Sequence, residues 1–213
     1  MIHILYQDKE LAVCRKPAGL LSQDGPGDTL PSLLRGQLGG DIFPVHRLDR
    51  EAGGVMVFAR TSRAAGALSG AISRGEFRKE YLCIARGRPE AEAGSYRDLL
   101  LHDKSRNKSF VVQRMRGGVK EALLDYRLLA ERDGLALVLV RLHTGRTHQI
   151  RVQFASRGTP LVGDGKYGGG SGGMALWSWA LAFRHPGGKM MDFRALPEGG
   201  AWDEFAPALS RLK

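Results

Sequence analysis

The dipeptide Asp133-Gly134 constrains this chain more than any other feature, because it joins two apolar runs at residues 122–131 and 135–142. A two-residue loop of this kind takes positive φ at both positions, and its twist matches that of an antiparallel strand pair. A hairpin is predicted there. A second is predicted at residues 2–6 and 11–14, two β-type runs either side of the polar turn Gln7-Asp8-Lys9-Glu10. Residues 55–59 read as a buried strand, and 78–85 and 174–183 as further strands. Pro44 biases its predecessor toward extended backbone, so 43–48 is also predicted extended. Strands joined by hairpins, with a few helices between them, define an α+β chain with a mostly antiparallel sheet.

Helices are predicted at four places. Residues 29–38 have Thr29 or Asp28 as cap, Pro31 in the first turn and Gly39 as a stop. Residues 61–73 start at Thr61 or Ser62 and carry Leu68 and Ile72 four apart on one face. Residues 147–156 are capped by Thr147, with Ile150 and Phe154 inward and Gly158 as the end. A short terminal helix covers 202–212. The region 94–118 is basic and weak in pattern, and reads as a solvated loop or an arm that touches RNA. Without a repeat, linker or composition break, residues 1–213 are expected to form a single domain.

Net charge is +10 and the isoelectric point about 10.0, which favours a polyanionic partner. Of the 32 cationic residues 23 are arginine, whose planar fork suits phosphate and base edges. A coding bias toward Arg, Gly and Ala would give similar totals. Cys14 and Cys83 each sit inside an apolar run and read as small core residues in a reducing compartment. The N-terminal residues have neither a basic region nor a long apolar stretch, so a cytoplasmic protein with no membrane partner is expected.

Several chemical motifs fail. Gly163-Asp164-Gly165-Lys166-Tyr167-Gly168 has GxGxxG spacing, but a dinucleotide site needs a helix to open there, and Gly168 to Gly173 starts one poorly. The P-loop pattern also breaks, with Pro160 at its first glycine and Tyr167 after the lysine. His143 and His148 lack nearby carboxylates or cysteines for zinc.

Two stretches remain. Pro44-Val45-His46-Arg47-Leu48-Asp49-Arg50 sets a carboxylate among cations at the mouth of the apolar run 55–59. Alone, it reads equally as a surface ion pair or as a reactive acid. Gly145-Arg146-Thr147-His148-Gln149-Ile150-Arg151 puts His148 and Arg151 three apart on a helix face. A partly buried arginine needs a carboxylate partner, and with no acid in that helix Asp49 is the candidate.

In ordered blocks over nearly its whole length, the chain resembles the RluA family of RNA pseudouridine synthases. Ile4-Leu5-Tyr6 through Lys16-Pro17-Ala18-Gly19-Leu20 is similar to the family's first block, and His46-Arg47-Leu48-Asp49 to its catalytic-aspartate signature. Lys79-Glu80-Tyr81-Leu82 resembles the block of the active-site tyrosine. Arg146 to Val152, Gly158 to Asp164 with Tyr167-Gly168, and Leu181 to Pro186 resemble the later blocks. Two departures stand out. Where the family has Thr-Ser-Gly behind its aspartate, this chain has Ala52-Gly53-Gly54, and it is expected to lack the accessory RNA-binding domain that precedes the first block in some members.

The resemblance implies a mixed, mostly antiparallel sheet with flanking helices and a central catalytic cleft. It implies conversion of uridine in a stem-loop of rRNA or tRNA to pseudouridine by a monomer, with no cofactor and no metal. Asp49 is then the essential carboxylate, acting as a nucleophile on uracil or ribose or as a base on the sugar. Arg151 holds Asp49 ionised, and Tyr81 stacks on the flipped base with its hydroxyl near carbon 5. Arg47, two residues from Asp49 and so on the same side of extended backbone, fills the vacated stack or holds phosphate. His46, Lys79, Arg146 and His148 are further candidates for substrate binding. The competing readings are an RNA-binding protein without catalysis, and a glycoside hydrolase using Asp49 and Glu51. The second is disfavoured because those acids lie two residues apart on one segment.

Overall fold

The computed structural model describes residues 1–212. In chain order the elements are β1 (His3–Gln7), β2 (Leu11–Lys16), α1 (Leu30–Leu38), β3 (Phe43–Pro44), β4 (Gly53–Ala59), α2 (Ser62–Ser73) and β5 (Arg78–Arg86). Then follow β6 (Ala93–Asp103), β7 (Lys108–Val112), β8 (Val119–Arg132), β9 (Leu135–Leu142) and α3 (Gln149–Ala155). Strands β10 (Leu176–Arg184) and β11 (Met190–Arg194) come next, and a 3-10 turn at Gly200–Phe205 leads into α4 (Ala206–Ser210). The α+β expectation holds. These elements form two compact units, one from Met1–Lys79 with Trp177–Pro197, the other from Glu80–Leu176 with the residues after Pro197.

In the first unit the strand order is β1-β2-β4-β10-β11, with β3 added to the far end of β4. The β1–β2 hairpin forms as predicted, and its turn is tied by Asp8, whose carboxylate accepts the Glu10 and Leu11 N–H groups. β2 pairs antiparallel with β4 from Leu11 opposite Ala59 to Lys16 opposite Gly54, while β10 meets Gly53 and Gly54 in parallel. Every residue of β4 is buried. Helix α2 lays Ala64, Leu68 and Ala71 onto Val55, Val57, Leu181 and Phe183. Ile72, predicted on that inward face, packs at the rim of this core. Thr29 and Thr61 cap α1 and α2 through their hydroxyls.

In the second unit the order is β5-β9-β8-β6-β7. The predicted hairpin is present: β8 and β9 pair from Arg132 opposite Leu135 back to Leu124 opposite Leu142, and Asp133 and Gly134 both take positive φ. Tyr96, Tyr126 and Phe154 form an aromatic cluster under this sheet.

Four expectations are corrected. Residues 94–118 hold two strands, β6 and β7, that turn tightly through Lys104 to Asn107. Leu99, Leu100 and Leu101 opposite Val112, Val111 and Phe110 supply the pairing that the surrounding charges obscured in the sequence. Strand structure in 43–48 stops at Pro44. Thr147 does not cap α3: His148 takes a left-handed conformation before the helix, and the Gln149 side chain reaches back to the Arg146 N–H. Finally, the terminal helix starts as a 3-10 turn, with α-helix following only from Ala206, where Pro207 suits a first turn. No helix among the described residues is long and apolar enough to cross a membrane.

Candidate active site

Asp49 stands in the loop between β3 and β4. Along it Arg47 is exposed, Leu48 buried and Asp49 half-buried, so the leucine anchors the loop and its neighbours face outward. Leu48 is clamped at both backbone atoms by Ser22, whose hydroxyl donates to its carbonyl (2.8 Å) and accepts its N–H (3.2 Å). Gly19 and Arg50 exchange two further bonds, and the Ala52 N–H closes a turn on the Asp49 carbonyl.

Beneath the loop lies Lys16, 0% exposed. Its ammonium has three N–H groups, and three carbonyls receive them: Pro17 (3.0 Å), Arg50 (2.9 Å) and Ala52 (2.6 Å). Leaving water costs a buried cation several kcal/mol, so burial pushes its pKa down to about 8, while the Glu51 and Asp49 carboxylates draw it back up. The charge is thus spent on fixing the backbone that directly follows Asp49, at Arg50 and Ala52, and tying it to Pro17 at the end of β2.

Within Ala52-Gly53-Gly54 the two glycines have a steric cause. A Cβ on Gly53 would stand 2.3 Å from the Trp177 ring. One on Gly54, whose φ is +117°, would stand 2.2 Å from the Ser178 carbonyl oxygen. Trp177 is fixed there by its indole N–H on the Ala195 carbonyl (2.6 Å) and by the Arg15 guanidinium over its ring. A serine in place of Gly53 has no room beside that ring.

His46 points back at the strand. Its Nε2 accepts the Val57 N–H at 3.1 Å, and burial, with the Lys79 charge adding to it, pushes its pKa down to about 3. It is a neutral acceptor, with no charge to offer a phosphate. Lys79 is half-buried, and burial pushes its pKa down. Arg47 makes no hydrogen bond or ion pair among the described residues, while Glu51 is exposed.

In the second unit Tyr81 is buried on β5, so it is not the strand tyrosine with a wet tip that its position also allowed. Arg151 is buried in α3, and Asp164 grips it in a two-pronged pair, Nε to Oδ2 at 2.7 Å and Nη2 to Oδ1 at 2.8 Å. The Gly163-Asp164 block was visible in the sequence, yet nothing in its spacing tied Asp164 to Arg151. Tyr167 covers the pair: the guanidinium lies 5.2 Å from its ring centroid, and its hydroxyl accepts the Ser109 N–H (2.7 Å) and meets His148 Nδ1 (3.0 Å). Burial pushes the Tyr167 pKa up, so this phenol stays protonated. His148 is therefore buried at the helix start, held by Tyr167. Arg146, half-buried, donates through Nε to the Glu121 carbonyl (2.8 Å). The glycine-rich stretch after Asp164 folds as turns closed by the Gly163–Gly169 and Asp164–Gly169 bonds, without a helix.

The family described as RNA pseudouridylate synthase matches residues 10–156, which include Asp49, Tyr81 and Arg151. An uncharacterized RNA pseudouridine synthase of Aquifex aeolicus is 38% identical over 180 residues, spanning 78% of this chain and 56% of its own length. The uncharacterized RNA pseudouridine synthase YhcT of Bacillus subtilis is 34% identical, spanning 80% and 59%. A ribosomal large subunit pseudouridine synthase D of Zymomonas mobilis is 31% identical, spanning 91% and 68%. The matched part thus covers little more than half the length of the first two. Among solved structures, human RNA pseudouridylate synthase domain containing 4 superposes with a TM-score of 0.78 at 26% identity, covering 99% of this chain and 92% of the other. Human domain containing 1 gives 0.79 at 21% identity and speaks for the fold. The chain belongs to the RNA pseudouridylate synthase family, as the order of its motifs led us to expect.

Proposed function

We propose that this protein isomerises specific uridines in structured RNA to pseudouridine, with Asp49 as the essential carboxylate. The observation that carries the reading is the loop built on Lys16. A buried ammonium fixes the backbone around one half-buried acid, inside the segment shared with the family. In the reaction the bond from ribose C1′ to uracil N1 breaks, the base turns, and a bond from C1′ to C5 forms. The C5 hydrogen leaves as a proton and N1 gains one, so atoms and charge balance within one nucleoside.

The target base starts stacked in RNA and must be flipped out, at a cost of a few kcal/mol. Arg47, exposed and without a hydrogen-bond or ion-pair partner among the described residues, is proposed to occupy the vacated stack or hold phosphate. Tyr81 is assigned to the flipped base, and Arg151 to orienting the carboxylate chemistry. Lys79, Arg146 and His148 are assigned to substrate binding, and His46 to it only through the strand it holds. The two units are proposed to act as one catalytic domain, in a monomeric cytoplasmic enzyme whose substrate is rRNA or tRNA. Two buried free cysteines support a reducing compartment.

The test is a map of pseudouridine across total RNA from cells with and without the gene. At least one rRNA or tRNA position is expected to lose its modification, and an unchanged map overturns the reading.

A further inference from the structure

Between Asp103 and Glu121 the chain carries Lys104, Arg106, Lys108, Arg114, Arg116 and Lys120 and no acid. Elsewhere on this unit several exposed arginines are matched by acids: Arg97 with Glu121, Arg88 with Glu131, and Arg157 with Asp98. Here Lys104, Arg114, Arg116 and Lys120 are exposed, and among the described residues none has a hydrogen-bonded or ion-pair partner through its side chain. Met115, between two of these arginines, is 62% exposed. A solvated face usually interleaves both signs; one that leaves four neighbouring cations unmatched repels itself unless a polyanion covers it.

The surface is also rigidly mounted. The β6–β7 hairpin is held to the segment before α3 by the Ser109 hydroxyl on the Thr147 carbonyl (2.6 Å). It is held to the loop after Asp164 by Tyr167 on the Ser109 N–H, and by Lys166 Nζ on the Asn107 carbonyl (2.8 Å). Leu100 and Val111 pack its inner side against Ala122, Val152 and Tyr167. The free cations are thus carried on a scaffold continuous with Arg146, His148 and Arg151.

We propose that the β6–β7 hairpin and the 113–118 loop form a second RNA-contacting surface, which grips the phosphate backbone flanking the target uridine. Phosphate contacts fix register without reading bases, so this surface sets how tightly and in what orientation the RNA sits. Lys104, Arg114, Arg116 and Lys120 take the phosphates, and Met115 lies against a ribose or base face. The proposal rests on the RNA-modifying reading for what lies between the phosphates, but not for the binding itself.

The experiment measures salt-dependent binding of a structured RNA, total tRNA or an rRNA stem-loop, to the full chain carrying Asp49→Asn, so that no turnover intervenes. It is repeated with Lys104, Arg114, Arg116 and Lys120 all changed to serine. Each lost phosphate contact removes about 0.7–0.9 from the slope of log affinity against log salt, so the fourfold variant is expected to lose about 3. On the Asp49 background the same change should raise KM at least tenfold with kcat at saturating RNA unaltered. If the fourfold variant melts early, the Arg114→Ser/Arg116→Ser pair replaces it, with an expected loss of about 1.5 in slope. An unchanged slope means a solvated basic face only, and overturns the proposal whatever the activity. A lowered slope in a protein that makes no pseudouridine keeps this surface and removes the isomerase reading instead.

Discussion

The loop of Asp49 and the helix of Arg151 both depend on a buried ion, but they use it in opposite ways. Around Asp49 a buried cation, Lys16, holds backbone carbonyls rather than a side chain. Around Arg151 a buried carboxylate, Asp164, is consumed in holding the cation, with Tyr167 closed over both. The first arrangement fixes a chain path; the second fixes a side chain. Losing the ion should therefore harm the chain path in one case and loosen one side chain in the other.

Asp164→Ala is the severest break of that contrast. It removes the two-pronged partner of the buried Arg151 guanidinium, a loss of about 3–5 kcal/mol in unfolding free energy. Denaturant unfolding checks it, and a loss under 1 kcal/mol would show that Arg151 is satisfied by other means. Lys16→Met comes next and should divide differently. It orphans three carbonyls, at about 1–3 kcal/mol for a group left unsatisfied, but it also relieves the cost of burying an ammonium. Stability is expected to fall less than for Asp164→Ala while turnover falls at least a hundredfold. Equal loss of both would make Lys16 an ordinary core residue.

The Lys16 titration sharpens the contrast further. Its folded pKa, about 8, lies below the unfolded value near 10.5. The unfolded chain therefore binds more protons between these limits, and this group's contribution to stability rises with pH across that window. Turnover should move the other way, because a neutral amine has two N–H groups for three carbonyls. An alkaline fall in kcat setting in near pH 8, absent from the residual activity of Lys16→Met, is the expected profile. Tyr167→Phe is the mildest change: it removes the hydroxyl shared by Ser109 and His148 and should cost about 0.5–1.5 kcal/mol by thermal or denaturant unfolding.

What could be read from the sequence follows the range of the forces involved. The Asp133-Gly134 hairpin, the Thr29 and Thr61 caps and the apolar run of β4 are local, and each appeared where periodicity or turn chemistry put it. Residues 94–118 were misread because Leu99 to Leu101 and Phe110 to Val112 form a short apolar pairing between basic flanks. Spacing does not show that Asp164 grips Arg151, since the turns after α3 bring it to the arginine. Likewise the role of Lys16 rests on carbonyls 34 and 36 residues away, which carry no side-chain signature. Only Trp177, far along the chain, explains Gly53.

The central claim is that Asp49 performs the chemistry. Forming the C5 bond expels the hydrogen at carbon 5, so RNA made with tritium at uridine C5 releases it to water on each turnover. With a substrate RNA identified from the pseudouridine map, the intact protein should release one tritium per target uridine. Asp49→Asn should bind the same RNA with unchanged affinity and release none above background. Release by Asp49→Asn at a rate near that of the intact protein would contradict the account.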